Sequence, residues 1–87
     1  MPIIVDFWAS WCGPCQTMAP IFEGVSQHMN NKIRFAKVDT ENAQQVAAHF
    51  QLRSIPSLLV FNNGKEVARQ AGVMNQQQLT SWVNQFA

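Results

Sequence analysis

The 87-residue sequence has few charged side chains and no excess of either sign. Six basic side chains face five acidic ones, a net charge of +1, and charged residues make up 13% of the chain. This share is about half of that in ordinary globular proteins. Binding to nucleic-acid phosphates requires a strong positive field, so the near balance argues against nucleic acid as a partner.

Long apolar runs are also absent. The longest are Ile3–Val5 and Leu58–Phe61, whereas a membrane-spanning helix needs about 20 apolar residues. No basic segment followed by a long apolar stretch comes after Met1, as it would in a secretory signal peptide. If the chain begins naturally at Met1, we expect a cytoplasmic protein that does not insert into membranes.

Histidine and cysteine are scarce, with two of each. A zinc site at the two cysteines would need two further ligands. His28 and His49 stand alone in helical patterns, so both are interpreted as packed or solvated helix residues. We therefore expect no metal site.

The apolar pattern of the first half predicts a parallel crossover unit. Ile3–Trp8 is apolar on both faces apart from Asp6, which indicates a central strand. Helical spacing over Pro14–Met29 predicts one helix, kinked at Pro20. Ile33–Val38 is a second strand, parallel to the first.

Two further helices follow from spacing and capping residues. Asp39 or Thr40 can cap a helix whose apolar residues, from Ala43 to Phe50, fall on one face. Asn75 and Gln78 form a variant of the capping box before a last helix. The apolar face of that helix consists of Leu79, Trp82, Val83 and Phe86.

A hairpin lies between these helices. Ser57–Phe61 and Lys65–Arg69 flank Asn62–Gly64, and the Asn-Gly pair favours the positive φ angles of a tight turn. The sequence therefore predicts a single α/β domain over residues 1–87, in the order β-α-β-α-β-β-α. Helices should cover both faces of a mixed four-stranded sheet.

The two cysteines stand at the start of the first predicted helix, within Trp11–Cys15. As a structural crosslink they are poorly placed, because so short a loop gives about 2 kcal/mol against nearly 5 for a long loop. Unpaired N–H groups and the positive helix end should stabilise a thiolate at Cys12 and lower its pKa. Cys15, one turn inside, is suited to resolve a mixed disulfide. The spacing predicts a redox dithiol.

Asp6–Cys15 resembles the active-site segment of the thioredoxin family. Further segments that resemble the family are Ala19–Pro20 at the helix kink, Ser54–Ser57 at the cis-proline loop, Asn63–Gly64 at the hairpin, and Ala71–Val73 beside the active site. The resemblance spans nearly the whole chain and implies a thioredoxin-like fold. Ala19–Glu23 and Arg53–Ser57 look most like the second bacterial thioredoxin type, without its amino-terminal zinc-binding extension.

The resemblance implies a proton-transfer role for Asp6. The matching carboxylate lies beneath the active site and exchanges protons with the resolving thiol, here Cys15, and burial in an apolar strand should raise its pKa. Lys37, on the neighbouring strand, should reach Asp6. The alternatives are an Asp6 at a frayed strand end and a Lys37 that is merely exposed on an edge strand.

The resemblance also names residues around the dithiol. Those that support the active site are Trp11, Gly13, Pro14 and Pro56. Those that contact substrate are Trp11, Ile55, Pro56, Gly72 and Val73. Sequence alone favours a trans bond before Pro56, whereas the family pattern implies a cis bond that frees the Ile55 backbone to pair with an extended substrate segment. Trp11 is interpreted as a surface aromatic and Trp8 as a packing residue.

The implied function is a protein dithiol–disulfide oxidoreductase that reduces substrate disulfides. Gly13–Pro14 between the cysteines is typical of reductants in the family. A flavoprotein thioredoxin reductase would recycle the Cys12–Cys15 disulfide with NADPH, and no cofactor would be bound. The alternatives are a binding or scaffold domain with little turnover, and an oxidant in an oxidising compartment.

Two features depart from the family pattern. Gln16 stands where many thioredoxins carry a basic residue, so the positive field at Cys12 should be weaker. The strand and helix that precede the equivalent of Ile3 are absent from this sequence, which would leave Ile33–Val38 as an uncovered edge. Arg34 and Lys37 should limit pairing there. We nevertheless expect either reduced stability or a homodimer through this edge.

Overall fold

The computed structural model describes all 87 residues and contains seven elements in the predicted order. They are β1 (Ile3–Trp8), α1 (Gly13–Met29), β2 (Arg34–Asp39), α2 (Gln44–His49), β3 (Ser57–Asn62), β4 (Lys65–Ala71) and α3 (Gln76–Asn84). The predicted α/β class and element order are confirmed. None of the helices combines the length and the apolar character that crossing a membrane requires.

The sheet has the strand order β2-β1-β3-β4. β1 pairs in parallel with β2 and antiparallel with β3, and β3 pairs antiparallel with β4. The predicted central position of β1 is therefore confirmed, and β2 and β4 form the two edges. Ile4–Phe7 are all buried, as a strand covered on both faces requires.

Side chains of β1 alternate between two cores, because successive residues of a strand point to opposite faces. Ile4 joins the larger cluster, which contains Met18 and Phe22 of α1 and Leu79 of α3. Val5 and Phe7 form the second cluster with residues on the side of α2. The same alternation puts Asp6 on the α1 side of the sheet, which is the side that carries the dithiol.

The predicted hairpin turn, the capping box of α3 and the undivided first helix are confirmed. Asn63 (φ 54°) and Gly64 (φ 78°) both have positive φ, as a two-residue hairpin turn of this kind requires. The capping box of α3 is formed: the Gln78 amide donates to Asn75 Oδ1 at 2.8 Å, and the Asn75 amide donates to Gln78 Oε1 at 3.0 Å. Pro20 lies inside α1 without dividing it.

The predicted cap of α2 is wrong. The helix begins after Ala43, which makes no side-chain capping bond. Asp39 instead accepts hydrogen bonds from the Glu41 amide and the Asn42 side chain. The amide and hydroxyl of Thr40 both donate to the Trp8 carbonyl, at 2.8 and 3.0 Å. These bonds hold the loop against β1, so the helix begins later than its apolar spacing suggested.

Gln51 closes α2 in a left-handed conformation, with φ 54°. Its amide donates to the Ala48 carbonyl and the Leu52 amide donates to the Ala47 carbonyl. This pair of bonds is the Schellman motif, whose left-handed position favours glycine because a Cβ there is disfavoured.

We predict that Gln51→Gly raises the free energy of unfolding by about 0.5–1 kcal/mol, because it relieves this conformation at a modest entropic cost. Urea denaturation measures the change. Gln45→Gly, in the first turn of the same helix, is the control and should lower the free energy of unfolding by less than about 1 kcal/mol. Equal destabilisation by both substitutions would contradict the prediction.

Candidate active site

The two cysteines form a disulfide at the amino-terminal end of α1. Cys12 is the N-cap residue, Cys15 lies in the first turn, and their Cα atoms are 5.2 Å apart. The Cys15 amide donates to Cys12 Sγ at 3.1 Å, and the first turn holds no acidic residue. After reduction, the same amide and the helix end would stabilise negative charge on Cys12.

The turn between β1 and α1 is held by backbone contacts. The Cys12 amide donates to the Ala9 carbonyl at 3.2 Å, and Pro14 occupies the first turn of the helix, where a missing N–H costs nothing. Ala9 is fully buried and packs with both cysteines, while Trp8 and Ile55 cover this cluster. Each cysteine is less than 5% exposed.

The loop before β3 lies against the disulfide. The Ile55–Pro56 peptide bond is cis, Pro56 is buried, and the Ile55 carbonyl oxygen lies 3.6 Å from Cys12 Sγ. The Gly72 amide donates to the Pro56 carbonyl at 2.9 Å, which ties the loop after β4 to the same region. Gly72 has φ 88°, a conformation that favours glycine.

An open groove of 530 Å³ runs beside Cys12. Its lining includes Trp11, Gly13, Pro14 and Ile55, and Trp11 is 71% exposed. Gly72 and Val73, which were expected to contact substrate, do not line this groove. Val73 lines a separate groove between β4 and α3.

Asp6 is almost completely buried, with 1% exposure, and its Oδ1 has no hydrogen-bond partner. Burial raises the pKa of this carboxyl to about 6, while the positive charge of Lys37 lowers it to a lesser extent. The two residues stand opposite each other in the parallel register of β1 and β2. The ammonium of Lys37 also lies 5.2 Å from the centroid of the Trp8 ring, within cation–π range.

Cys15 and Lys37 share a second, smaller cavity of 110 Å³. Trp8 and Gln16 also line it. The cavity is large enough for water, which needs about 10–15 Å³ of such volume per molecule. The structure therefore places Lys37 beside Cys15 in this cavity and opposite Asp6 in the sheet.

A network that was not predicted fixes the loop before Cys12. Glu41 Oε1 accepts from the Ser10 amide at 3.0 Å and from the Ser10 hydroxyl at 2.6 Å. The Gln16 side chain donates to the Ser10 carbonyl at 3.0 Å. Ser10 and Glu41 are 31 positions apart in the sequence, so no local pattern indicated the contact. Gln16 thus holds the loop through its amide, although it brings no positive charge.

No group of three or more histidine, cysteine or acidic side chains is placed to hold a metal ion. His49 instead packs edge-on against Phe50, with the ring centroids 4.8 Å apart.

The raised pKa of Asp6 predicts a stability that falls with pH. The folded state keeps the proton of the Asp6 carboxyl up to about pH 6, whereas the unfolded chain loses it near the ordinary pKa of 3.8. Stability should therefore be highest below this window and decrease through it, by about 2–3 kcal/mol in total. Asp6→Asn should remove this decrease and be the more stable protein at pH 8.

Urea denaturation of the oxidised protein from pH 4.5 to pH 8 measures the effect. Glu23→Gln, on the exposed face of α1, is the control and should follow the wild-type profile. Parallel profiles for wild type and Asp6→Asn would contradict the assignment.

Comparison with known proteins agrees with this geometry. Residues 1–85 match the thioredoxin family model. A thioredoxin-like protein of Synechocystis is 42% identical over 98% of this chain and 81% of its own length. Thioredoxin of Haemophilus influenzae is 40% identical over 98% of this chain and 79% of its own.

The fold comparison gives the same result. The crystal structure of Malassezia sympodialis thioredoxin superimposes with a TM-score of 0.89 at 33% identity, covering 97% of this chain and 73% of that one. With a dithiol disulfide at the start of α1 and these relatives along nearly its whole length, the chain belongs to the thioredoxin family and is a protein thiol–disulfide oxidoreductase.

Proposed function

We propose that this protein reduces disulfide bonds in other proteins, with Cys12 as the nucleophile. The observation that carries the proposal is the position of Cys12 Sγ. It accepts the Cys15 amide at the helix start and lies 3.6 Å from the Ile55 carbonyl, at the side of an open groove. A thiolate there is stabilised, and an extended substrate segment can approach it along the Ile55 backbone.

The reaction transfers two electrons in two exchanges. The Cys12 thiolate attacks one sulfur of the substrate disulfide, a mixed disulfide forms, and the other substrate sulfur leaves as a thiolate. Cys15, after losing its proton, attacks Cys12 Sγ and releases the second substrate thiolate. The product is the Cys12–Cys15 disulfide present in the structure, and the substrate has gained both electrons.

Asp6 is proposed to accept the proton of Cys15. With a pKa of about 6, its carboxyl is mostly ionised at neutral pH and still basic enough to take a proton. The cavity next to Cys15 also contains Lys37, the residue opposite Asp6, and offers room for water at the sulfur. Lys37, opposite Asp6, is proposed to stabilise the carboxylate between turnovers.

Recycling requires a donor of electrons. We propose a flavoprotein thioredoxin reductase that uses NADPH and docks over Trp11 and the Cys12 groove. The reducing direction also favours a cytoplasmic location, where thiols are kept reduced. Disulfide-containing proteins are the proposed substrates, and Gly72 and Val73 are proposed to contact the parts of a substrate that extend beyond the groove.

Turnover of insulin disulfides with dithiothreitol tests the proposal. Cys12→Ser should lower the rate to that of dithiothreitol alone, because the remaining thiol, Cys15, does not line the groove. Without dithiothreitol, pre-reduced Cys15→Ser should stop at a mixed disulfide with insulin that is visible by mass. Gln27→Ser, on the exposed distal part of α1, is the control and should keep wild-type turnover. Wild-type turnover by Cys12→Ser would overturn the mechanism.

We propose a homodimer through the β2 edge, the alternative being reduced stability. β2 pairs only with β1, so its outer N–H and C=O groups are open to another strand. We expect self-association in sedimentation experiments as the concentration rises. A monomer at every concentration would contradict it.

A further inference from the structure

Arg53 lies between two grooves beside the dithiol. It lines the groove that contains Cys12, where it is the one charged residue. It also lines a neighbouring groove of 390 Å³, whose polar side chains include those of Gln51, Ser54 and Gln70. The guanidinium of Arg53 can therefore contact a substrate chain that extends from the Cys12 groove into the neighbouring groove.

The charge of Arg53 is unpaired. The second groove contains one other cation, Arg69, and Arg69 forms the only salt bridge of the structure, with Glu66. Arg69 also donates to the Phe50 carbonyl at 3.1 Å. Arg53 forms no salt bridge, so no carboxylate of the protein itself balances its positive charge.

The backbone relates Arg53 to the reacting sulfur. The Ile55 carbonyl lies 3.6 Å from Cys12 Sγ, and Arg53 precedes Ile55 by two residues. An extended segment that runs beside Ile55 advances about 3.3 Å per residue. Arg53 would then lie beside a substrate side chain two or three residues away from the substrate's reacting cysteine. This neighbour would lie either before or after the cysteine, but not on both sides.

We propose that Arg53 determines substrate preference by binding a carboxylate of the substrate, carried two or three residues to one side of the reacting cysteine. A guanidinium can bind a carboxylate through two parallel hydrogen bonds. This inference rests on the proposed reduction of protein disulfides. Because the pair is solvent-exposed, the preference should be about two- to fivefold at low ionic strength and should decrease with salt.

The test uses peptides with one cysteine in a mixed disulfide with 2-mercaptoethanol. Each peptide carries one glutamate, at a position from four residues before to four after the cysteine, and has a glutamine-matched partner. Single-turnover reduction by the pre-reduced protein gives a second-order rate constant for each. Wild type should favour glutamate about two- to fivefold at two or three residues on one side only.

Variants separate local recognition from the general effect of charge. Arg53→Gln should bring the glutamate-to-glutamine ratio to about 1, and Arg53→Glu should favour lysine peptides at the same position. Lys65→Gln removes an equal charge at the hairpin end of β4 and should keep the wild-type ratio.

Two results would overturn the inference: equal ratios in wild type and Arg53→Gln, or the same preference for glutamate at every position. If the proposed function itself were wrong, the result would be a different one: the wild-type protein would not reduce the glutamine peptides either.

Discussion

The hydrogen bond from the Cys15 amide to Cys12 Sγ is the contact on which the site depends. It requires that β1 stop at Trp8, that the chain turn tightly, and that α1 begin at once, so that an unpaired amide points at the sulfur. The Thr40 bonds to Trp8 and the Ser10–Glu41 contact hold that turn from outside. The chemistry of one sulfur thus rests on bonds contributed by distant parts of the chain.

The burial of Asp6 beneath the site lowers the stability of the protein. A carboxyl with an unpaired oxygen in the middle of the central strand destabilises the fold when it is ionised. Lys37 compensates only in part, because its ammonium is exposed and also lies over the Trp8 ring. The same burial keeps the pKa of Asp6 at about 6, which suits a group proposed to exchange a proton with Cys15. In an 87-residue chain such a loss of stability is substantial.

Features set by local signals were predictable from the sequence. The central strand follows from its apolar residues, the hairpin from Asn63–Gly64 and the start of α3 from its capping box, because each depends on neighbouring residues. The α2 cap was predicted wrongly because the Thr40 bonds to Trp8 join separate elements. No local sequence pattern indicated the Ser10–Glu41 contact or the left-handed conformation of Gln51. The position of Arg53 in the Cys12 groove could not be predicted, because it depends on how separate segments of the chain pack together.

The central claim is that the start of α1 stabilises the Cys12 thiolate. Titration of the reduced protein, followed by thiolate absorbance near 240 nm, measures the pKa of Cys12 directly, and the Cys15→Ser variant assigns the transition. The account predicts a pKa clearly below the value of about 8.5 for a free cysteine. A pKa at or above that value would contradict it.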